Sequence, residues 1–106
     1  MSYKFTESAL DSLLKFEEET ASRIQNIIKE ASKQDFYNHS SYSYSYDNHG
    51  NPWDKLDIKR DNLNYRVFFT NVEETFYILE VFQRDDLEYD KDLYNLLKKL
   101  EDKVEK

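Results

Sequence analysis

The second half of the chain constrains the fold most, because three strand-like runs follow one another there with only short turns between them. The runs cover residues 53–60, 65–70 and 75–83, and turn-forming residues occupy 61–64 and 71–74. Connections as short as these join neighbouring strands in an antiparallel arrangement. The sequence therefore predicts a meander of antiparallel strands.

The alternating stretch Ser41–Tyr46 predicts a further strand at the start of this meander. Its residues alternate strictly between serine and tyrosine, so the strand has one serine face and one tyrosine face. Residues 47–52, with the sequence Asp-Asn-His-Gly-Asn-Pro, form the clearest turn signal in the chain. The tyrosine face is typical of packing against a neighbouring strand or a partner, although aromatic side chains also stack on nucleic-acid bases.

Two helices are predicted near the N-terminus, after a short strand at residues 3–6. Thr6 or Ser8 caps the first helix, and the acidic run at 17–19 marks the corner where the second begins. The apolar positions that recur at helical spacing are Leu10, Leu13, Leu14 and Phe16, then Ala21, Ile24, Ile27, Ile28 and Ala31. A C-terminal helix is predicted by the same spacing of Leu93, Leu96, Leu97, Leu100 and Val104.

The order of these elements predicts an α+β fold in a single domain over residues 1–106. An N-terminal helical hairpin is expected to pack on one face of a twisted, mainly antiparallel sheet, with the C-terminal helix following the last strand. The other face of the sheet is expected to be partly free, so that a substrate or partner can dock there.

The composition narrows the chemistry that the chain can perform. The absence of cysteine excludes a thiolate zinc site and a cysteine nucleophile. The N-terminus lacks the apolar segment of a signal peptide, and no run reaches membrane-spanning length, which predicts a soluble cytoplasmic protein. The net charge of −7 disfavours non-specific nucleic-acid binding, since phosphate contacts need a positive surface.

Arg66 and Arg84 each accompany an apolar, aromatic run, where a charge is costly to bury without a partner. Together with Lys59 on the same sheet they can hold a phosphate, and Tyr89 can move a proton. This combination indicates a small nuclease site. In the structural alternative, both arginines pair with acidic residues of neighbouring strands. The candidate acidic partners are Glu80, Asp85 and Asp86.

The ordered motifs of the second half resemble the RelE/ParE superfamily, the toxins of type II toxin–antitoxin pairs. The resemblance rests on Leu56–Lys59, on Tyr65–Phe69, and on Ile78–Arg84 followed by Tyr89. RelE-type members are ribosome-dependent mRNA endonucleases, or mRNA interferases. The resemblance therefore implies RNA cleavage without a metal or other cofactor, in which the RNA 2′-hydroxyl attacks the neighbouring phosphate and fixed cations offset the developing charge.

The resemblance also implies a role for individual residues. Arg66 holds the scissile phosphate, Arg84 stabilises charge in the transition state, and Tyr89 assists proton transfer. Lys59 completes the implied catalytic set as a basic residue on the preceding strand. The additional residues implied to bind RNA are Lys55 and Arg60. The implied partners are mRNA on the ribosome and a cognate antitoxin, whose amphipathic helix covers the basic groups.

Acidic residues near these positions favour a second interpretation. Asp57 and Asp61 stand where active RelE-type toxins tend to carry basic residues, and Gln83 precedes Arg84 where many relatives have His or Lys. The alternative is a non-enzymatic member of the same fold, either a ParE-like gyrase inhibitor or an inactive relative that binds an antitoxin. A third interpretation without family content is a small acidic α+β interaction module.

Two further patterns in the sequence, a pair of histidines and an acidic segment, contain residue types that can bind metal ions. His39 and His49 flank the tyrosine tract, and both are expected to be solvated loop residues rather than metal ligands. The acidic segment 85–92 lacks the glycine and the terminal glutamate of a calcium-binding loop. It is therefore expected to be the solvated start of the last helix.

Overall fold

The computed structural model describes residues 2–47, 49–86 and 91–104, and its element order confirms the α+β prediction. The elements are β1 (Ser2–Phe5), α1 (Glu7–Leu14), α2 (Glu18–Gln34), β2 (Tyr42–Tyr46), β3 (Pro52–Arg60), β4 (Leu63–Val72), β5 (Thr75–Gln83) and α3 (Lys91–Val104). Short 3₁₀ turns cover Phe36–Asn38 and Arg84–Asp86.

The five strands form one mixed sheet in the order β1-β5-β4-β3-β2. Strands β2 to β5 pair consecutively and antiparallel, which confirms the predicted meander. Strand β1 pairs with β5 in parallel, because the two helices carry the chain across the sheet before the meander begins. Strands β1 and β2 are therefore the two edges of the sheet.

The meander turns are shorter than the sequence indicates. Arg60 pairs with Leu63 and Val72 pairs with Thr75, so each hairpin loop has only two residues. The loop residues all have positive φ: Asp61 (53°), Asn62 (68°), Glu73 (50°) and Glu74 (68°). Positive φ at both loop residues gives the turn a twist that matches the right-handed twist of the two strands, so this form is typical of two-residue hairpins. The predicted turns at 61–64 and 71–74 are therefore too long, and β4 extends to Val72.

The main core lies between the α1–α2 pair and one face of the sheet, as predicted. Thr6 caps α1, since its hydroxyl oxygen accepts a hydrogen bond from the Ala9 N–H at 3.0 Å. The fully buried residues of this core include Ile24 and Ile28 of α2, packed against the β4 and β5 residues Phe69 and Phe76. No helix among the described residues combines the length and the apolar character needed to cross a membrane.

The opposite face of the sheet is covered in part by α3. Leu93, Tyr94, Leu97 and Leu100 of α3 pack with Trp53, Phe68 and Leu79 of the sheet in a second apolar cluster. The helix starts near β2, where the Tyr94 hydroxyl donates to the Tyr46 carbonyl oxygen at 3.2 Å. Its C-terminal turns approach α1, where Leu100 and Val104 line a cleft with Thr6.

Helix α1 lies alongside the second half of β5, beyond the end of β1. The Thr6 N–H donates to the Ile78 carbonyl at 3.0 Å, and the Thr6 hydroxyl donates to the Leu79 carbonyl at 2.8 Å. At this point the β4–β5 register shifts, so that Phe68 pairs with Glu80 and Phe69 with Ile78. The irregularity precedes Glu80, which turns its buried carboxylate to α1.

Candidate functional site

Basic and acidic side chains share the α3 face of the sheet with the apolar cluster around Trp53. On β3, side chains alternate between faces, so Lys55, Asp57 and Lys59 lie on the same side as Trp53. On β4, Arg66 lies on the same side as Phe68. The charged side chains therefore follow Trp53 on β3 and precede Phe68 on β4.

Lys55 is the most deeply placed of these charges, since only 5% of its surface is exposed. Burial lowers the pKa of Lys55, the positive charges of Arg66 and Arg84 lower it further, and Asp57 partly opposes the change. The strand register brings the same positions near one another, since Lys55 pairs with Phe68, two residues after Arg66, and Arg66 pairs with Phe82, two residues before Arg84. We refer to these three residues as the cation cluster.

Asp57 is the counter-ion of the cation cluster. It lies directly opposite Arg66 in the β3–β4 ladder, and the Arg66 Nε is 3.4 Å from the Asp57 Oδ1. Both side chains are largely shielded from water, with exposed fractions of 13% for Arg66 and 22% for Asp57. The predicted pairing of Arg66 with an acidic residue is therefore found, but the partner is Asp57.

Two of the acidic residues predicted as partners, Glu80 and Asp85, accept hydrogen bonds from other groups. The carboxylate of Glu80 accepts hydrogen bonds from the hydroxyls of Ser8 and Ser12 and from the Val81 N–H. The carboxylate of Asp85 accepts a hydrogen bond from the Asn64 side-chain amide at 3.2 Å. Arg84 begins the 3₁₀ turn after β5, one residue before Asp85.

The structure brings some of the predicted site residues together and separates others from them. Arg66 and Arg84 come together with Lys55, which the sequence placed only among the RNA-binding residues. Lys59 is on the same face of β3 but is exposed. Arg60 donates to the Glu30 carboxylate of α2 at 3.3 Å, which puts it on the opposite face. Tyr89 lies outside the described residues.

The sequence did not indicate that Asp57 belongs to the candidate site or that Lys55 is its most buried cation. The shared strand face of Trp53 and Lys55 could have indicated the burial of Lys55, because Lys55 follows Trp53 by two residues. The pairing of Asp57 with Arg66 depends on the two-residue loop at Asp61-Asn62, because that loop sets the β3–β4 register.

The cation cluster can bind an anion. Arginine forks match phosphate oxygens, and shielding from water strengthens such contacts. A lysine whose pKa is lowered is also closer to the range in which an amine exchanges protons at neutral pH. Among residues 2–47, 49–86 and 91–104, no group of three or more His, Cys, Asp or Glu side chains is arranged to hold a metal ion.

His39 belongs to a second polar cluster, on the α2 side of the sheet. It is 4% exposed, which corrects the expectation of a solvated loop histidine, whereas His49 is exposed as predicted. The His39 Nδ1 accepts a hydrogen bond from the Ser41 N–H at 3.1 Å, so the Nε2 carries the proton toward Glu30 Oε1 at 3.2 Å. Since Glu30 also binds Arg60, this cluster ties α2 to the sheet.

No protein-family model, curated protein or solved structure matches the chain. The resemblance to the RelE/ParE superfamily thus rests on the sequence motifs alone. The strongest functional observation within the structure is the cation cluster with its counter-ion Asp57.

Proposed function

We propose that the chain is a RelE-like toxin domain that cleaves mRNA on the ribosome without a metal ion. The observation that carries this proposal is that Lys55, almost fully buried, and Arg66 lie on the same face of neighbouring strands, with Arg84 directly after the strand that pairs with β4. Three neighbouring cations share the Asp57 carboxylate, and a phosphate that exchanges for this carboxylate would meet several charge-assisted donors.

The cation cluster fits the charge changes of RNA cleavage by internal attack. The 2′-oxygen forms a bond to phosphorus, the bond from phosphorus to the 5′-oxygen breaks, and negative charge builds on the phosphoryl oxygens. In the proposal, Arg66 and Arg84 stabilise that charge. Lys55, with its lowered pKa, is the described residue best suited to exchange a proton with the reacting oxygens. Tyr89 has this role in the family resemblance.

Asp57 partly neutralises the cation cluster when no RNA is bound. The Asp57 carboxylate contacts the guanidinium of Arg66, so an RNA phosphate must compete with this carboxylate. The cognate antitoxin in this proposal covers the same basic groups with an amphipathic helix. The acidic counter-ion therefore lowers the affinity for non-specific anions.

The Asp57–Arg66 ion pair also favours a second candidate function, a non-enzymatic member of the same fold. If the ion pair persists, it weakens the binding of a phosphate by Arg66, and the net charge of −7 opposes binding to ribosomal RNA. Such a protein inhibits gyrase in the manner of ParE or binds an antitoxin without catalysis. A DNA supercoiling assay with purified gyrase identifies the first of these activities.

The proposal is tested by adding the purified protein to translating ribosomes and mapping mRNA ends. We expect cleavage by the wild type and its loss in Arg66→Ala and in Arg84→Ala. Arg23→Ala is the matched control, because Arg23 lies on α2, which packs on the other face of the sheet, and contacts the Asp61 carbonyl. The absence of wild-type cleavage, or equal cleavage by all variants, would exclude the enzymatic function.

A further inference from the structure

Strand β2 is an edge of the sheet, and its outer side has no partner strand in the part of the chain that the structure describes. The Asp57 N–H donates to the Ser41 carbonyl at 2.7 Å, and the Asp47 N–H donates to the Asn51 carbonyl at 3.0 Å. In an antiparallel ladder alternate residues point their N–H and C=O groups at the partner strand. Residues 41, 43, 45 and 47 therefore face β3, and the backbone groups of Tyr42, Tyr44 and Tyr46 point away from the sheet.

Some of these outward groups are already satisfied within the chain. The Tyr42 N–H donates to the His39 carbonyl at 3.0 Å, and the Tyr46 carbonyl accepts from the Tyr94 hydroxyl. Within residues 2–47, 49–86 and 91–104, no partner is found for the N–H and C=O of Tyr44, the N–H of Tyr46 or the C=O of Tyr42, so these groups remain for another strand.

The sequence of β2 has the features of a strand that pairs with itself. Tyr-Ser-Tyr-Ser-Tyr reads the same in both directions about Tyr44. Residues 36–46 contain no Asp, Glu, Lys or Arg, although these make up 35% of the chain. Natural edge strands usually carry a charge, a proline or a bulge that blocks pairing, and β2 has none of these.

The other edge of the sheet, β1, offers less room for pairing with another strand. Strand β1 has four residues, one of which is the exposed Lys4, and α1 lies beside β5 where β1 ends. On β2, by contrast, the rings of Tyr44 and Tyr46 are 57% and 60% exposed, and their ring centres are 5.6 Å apart.

We propose that β2 pairs antiparallel with β2 of a second copy of this chain, about a two-fold axis at Tyr44. The N–H and C=O of Tyr44 exchange hydrogen bonds with those of Tyr44 in the second copy. The Tyr46 N–H of each copy donates to the Tyr42 carbonyl of the other. This register uses the outward groups that remain and leaves the engaged Tyr42 N–H and Tyr46 carbonyl undisturbed.

The occupant is a second copy because a two-fold interface must be self-complementary, and β2 is palindromic. In this register Tyr44 rings meet across the axis, and aromatic cross-strand pairs are favourable. The acidic Asp47 would face Ser41 of the second copy, so no like charges are directly opposite. In a chain with a net charge of −7, this uncharged stretch is where two copies approach with least repulsion.

Sedimentation equilibrium of the full chain over the micromolar to millimolar range tests the proposal. We expect a monomer–dimer equilibrium for the wild type and a monomer for Tyr44→Pro. A proline at position 44 removes an outward N–H and leaves the β2–β3 hydrogen bonds in place. Leu14→Lys is the control, because Leu14 is 82% exposed on α1 and belongs to an apolar groove of about 460 Å³.

Disulfide trapping supplies a second readout that does not depend on how well the proline variant folds. The chain has no cysteine, so a single cysteine can link only two copies. Residues exchanging hydrogen bonds across an antiparallel pair have Cα atoms ~5.5 Å apart, within the reach of a disulfide. We expect rapid formation of a covalent dimer by Tyr44→Cys under mild oxidation and slow formation by Leu14→Cys.

The two experiments overturn the proposal in distinct ways. A wild type that stays monomeric at millimolar concentration excludes pairing through β2. A dimer that is lost in Leu14→Lys and kept in Tyr44→Pro assigns the interface to the groove between α1 and α2. Equal trapping rates for both cysteine variants show that Tyr44 does not lie at a two-fold axis.

Discussion

The Arg66 guanidinium lies 3.4 Å from the Asp57 carboxylate, directly across the β3–β4 ladder and largely shielded from water. The pair places a negative charge within a group of three cations. An anion that binds this cluster must compete with a carboxylate that is fixed by the strand register. The strength of the proposed phosphate site is therefore set by Asp57 as well as by the cations.

Replacing Asp57 with asparagine is expected to strengthen anion binding. The variant Asp57→Asn keeps the shape of the side chain and removes the competing charge, so the cluster gains one net positive charge. We expect about a tenfold higher affinity for a short single-stranded RNA, corresponding to ~1.4 kcal/mol. Isothermal titration calorimetry at low salt provides the measurement.

The matched control for this change is Asp11→Asn, which removes one negative charge from an exposed position on α1. Its effect reports only the change in net charge and is expected to be small at physiological salt. Equal gains in the two variants would show that Asp57 does not compete with the anion.

Replacing Lys55 with methionine is expected to separate binding from stability. Methionine fills a similar volume, and exchanging a buried charge for an apolar group is often neutral or stabilising when volume is kept. We expect Lys55→Met to lose most RNA affinity while its free energy of unfolding stays within ~1 kcal/mol of the wild type or rises. Urea denaturation and the same calorimetric titration measure the two quantities.

The pH dependence of binding offers an independent check on Lys55. Because burial and the neighbouring arginines lower its pKa, Lys55 loses its proton at a lower pH than an exposed lysine. Anion affinity of the wild type should therefore fall as the pH rises through this lowered pKa, and the fall should be absent in Lys55→Met. An identical pH profile for both proteins would contradict the role of Lys55.

Removing the Glu80 carboxylate is expected to weaken the attachment of α1 to β5. Glu80 is 5% exposed and accepts hydrogen bonds from the hydroxyls of Ser8 and Ser12. In Glu80→Ala these donors lose their acceptor, and we expect a loss of about 2 kcal/mol in the free energy of unfolding. A double-mutant cycle with Ser8→Ala and Ser12→Ala isolates the interaction. If Glu80→Ala costs as much without the serines as with them, the hydrogen bonds contribute nothing.

The Asp47 carboxylate should make the stability of the β2–β3 turn depend on acid pH. Burial opposes its charged form, but hydrogen bonds from the Asn51 and His49 N–H groups and from the Trp53 and Asn51 side chains lower the pKa of Asp47 from 3.8 to about 2. Since the folded pKa lies below the ordinary value, the stabilisation is complete above that value. It is lost as the pH falls toward 2.

We therefore expect the difference in free energy of unfolding between wild type and Asp47→Asn to be constant near neutral pH. It should shrink over the range from about pH 5 to pH 2. Urea titrations at several pH values measure this difference. A difference independent of pH would show that the charge of Asp47 does not contribute.

The sequence predicted the meander and the apolar faces of α1 and α2 because the patterns that indicate them are local. The alternation in Ser41–Tyr46 and the spacing of Ile24, Ile27 and Ile28 require no knowledge of distant residues. The two-residue turn at Glu73-Glu74 was missed because glutamate at positive φ is uncommon, so the residues do not signal a tight hairpin.

The candidate site was only partly predictable for a different reason. Arg66 and Arg84 were identified as charges next to apolar runs, but the burial of Lys55 depends on the tertiary structure. Helical periodicity shows that α3 has an apolar face without showing which surface it covers. The pairing of Asp57 with Arg66 likewise depends on a register that a one-residue change in loop length would alter.

The chemical nature of the mRNA ends left after incubation with translating ribosomes tests the central claim most directly. Attack by the 2′-hydroxyl leaves a 2′,3′-cyclic phosphate or its hydrolysis product on the upstream fragment and a 5′-hydroxyl on the downstream one. We expect these ends with the wild type, and their loss in Arg66→Ala but not in Arg23→Ala. No cleavage by the wild type, or downstream fragments with a 5′-phosphate, would contradict the proposed role of the cation cluster.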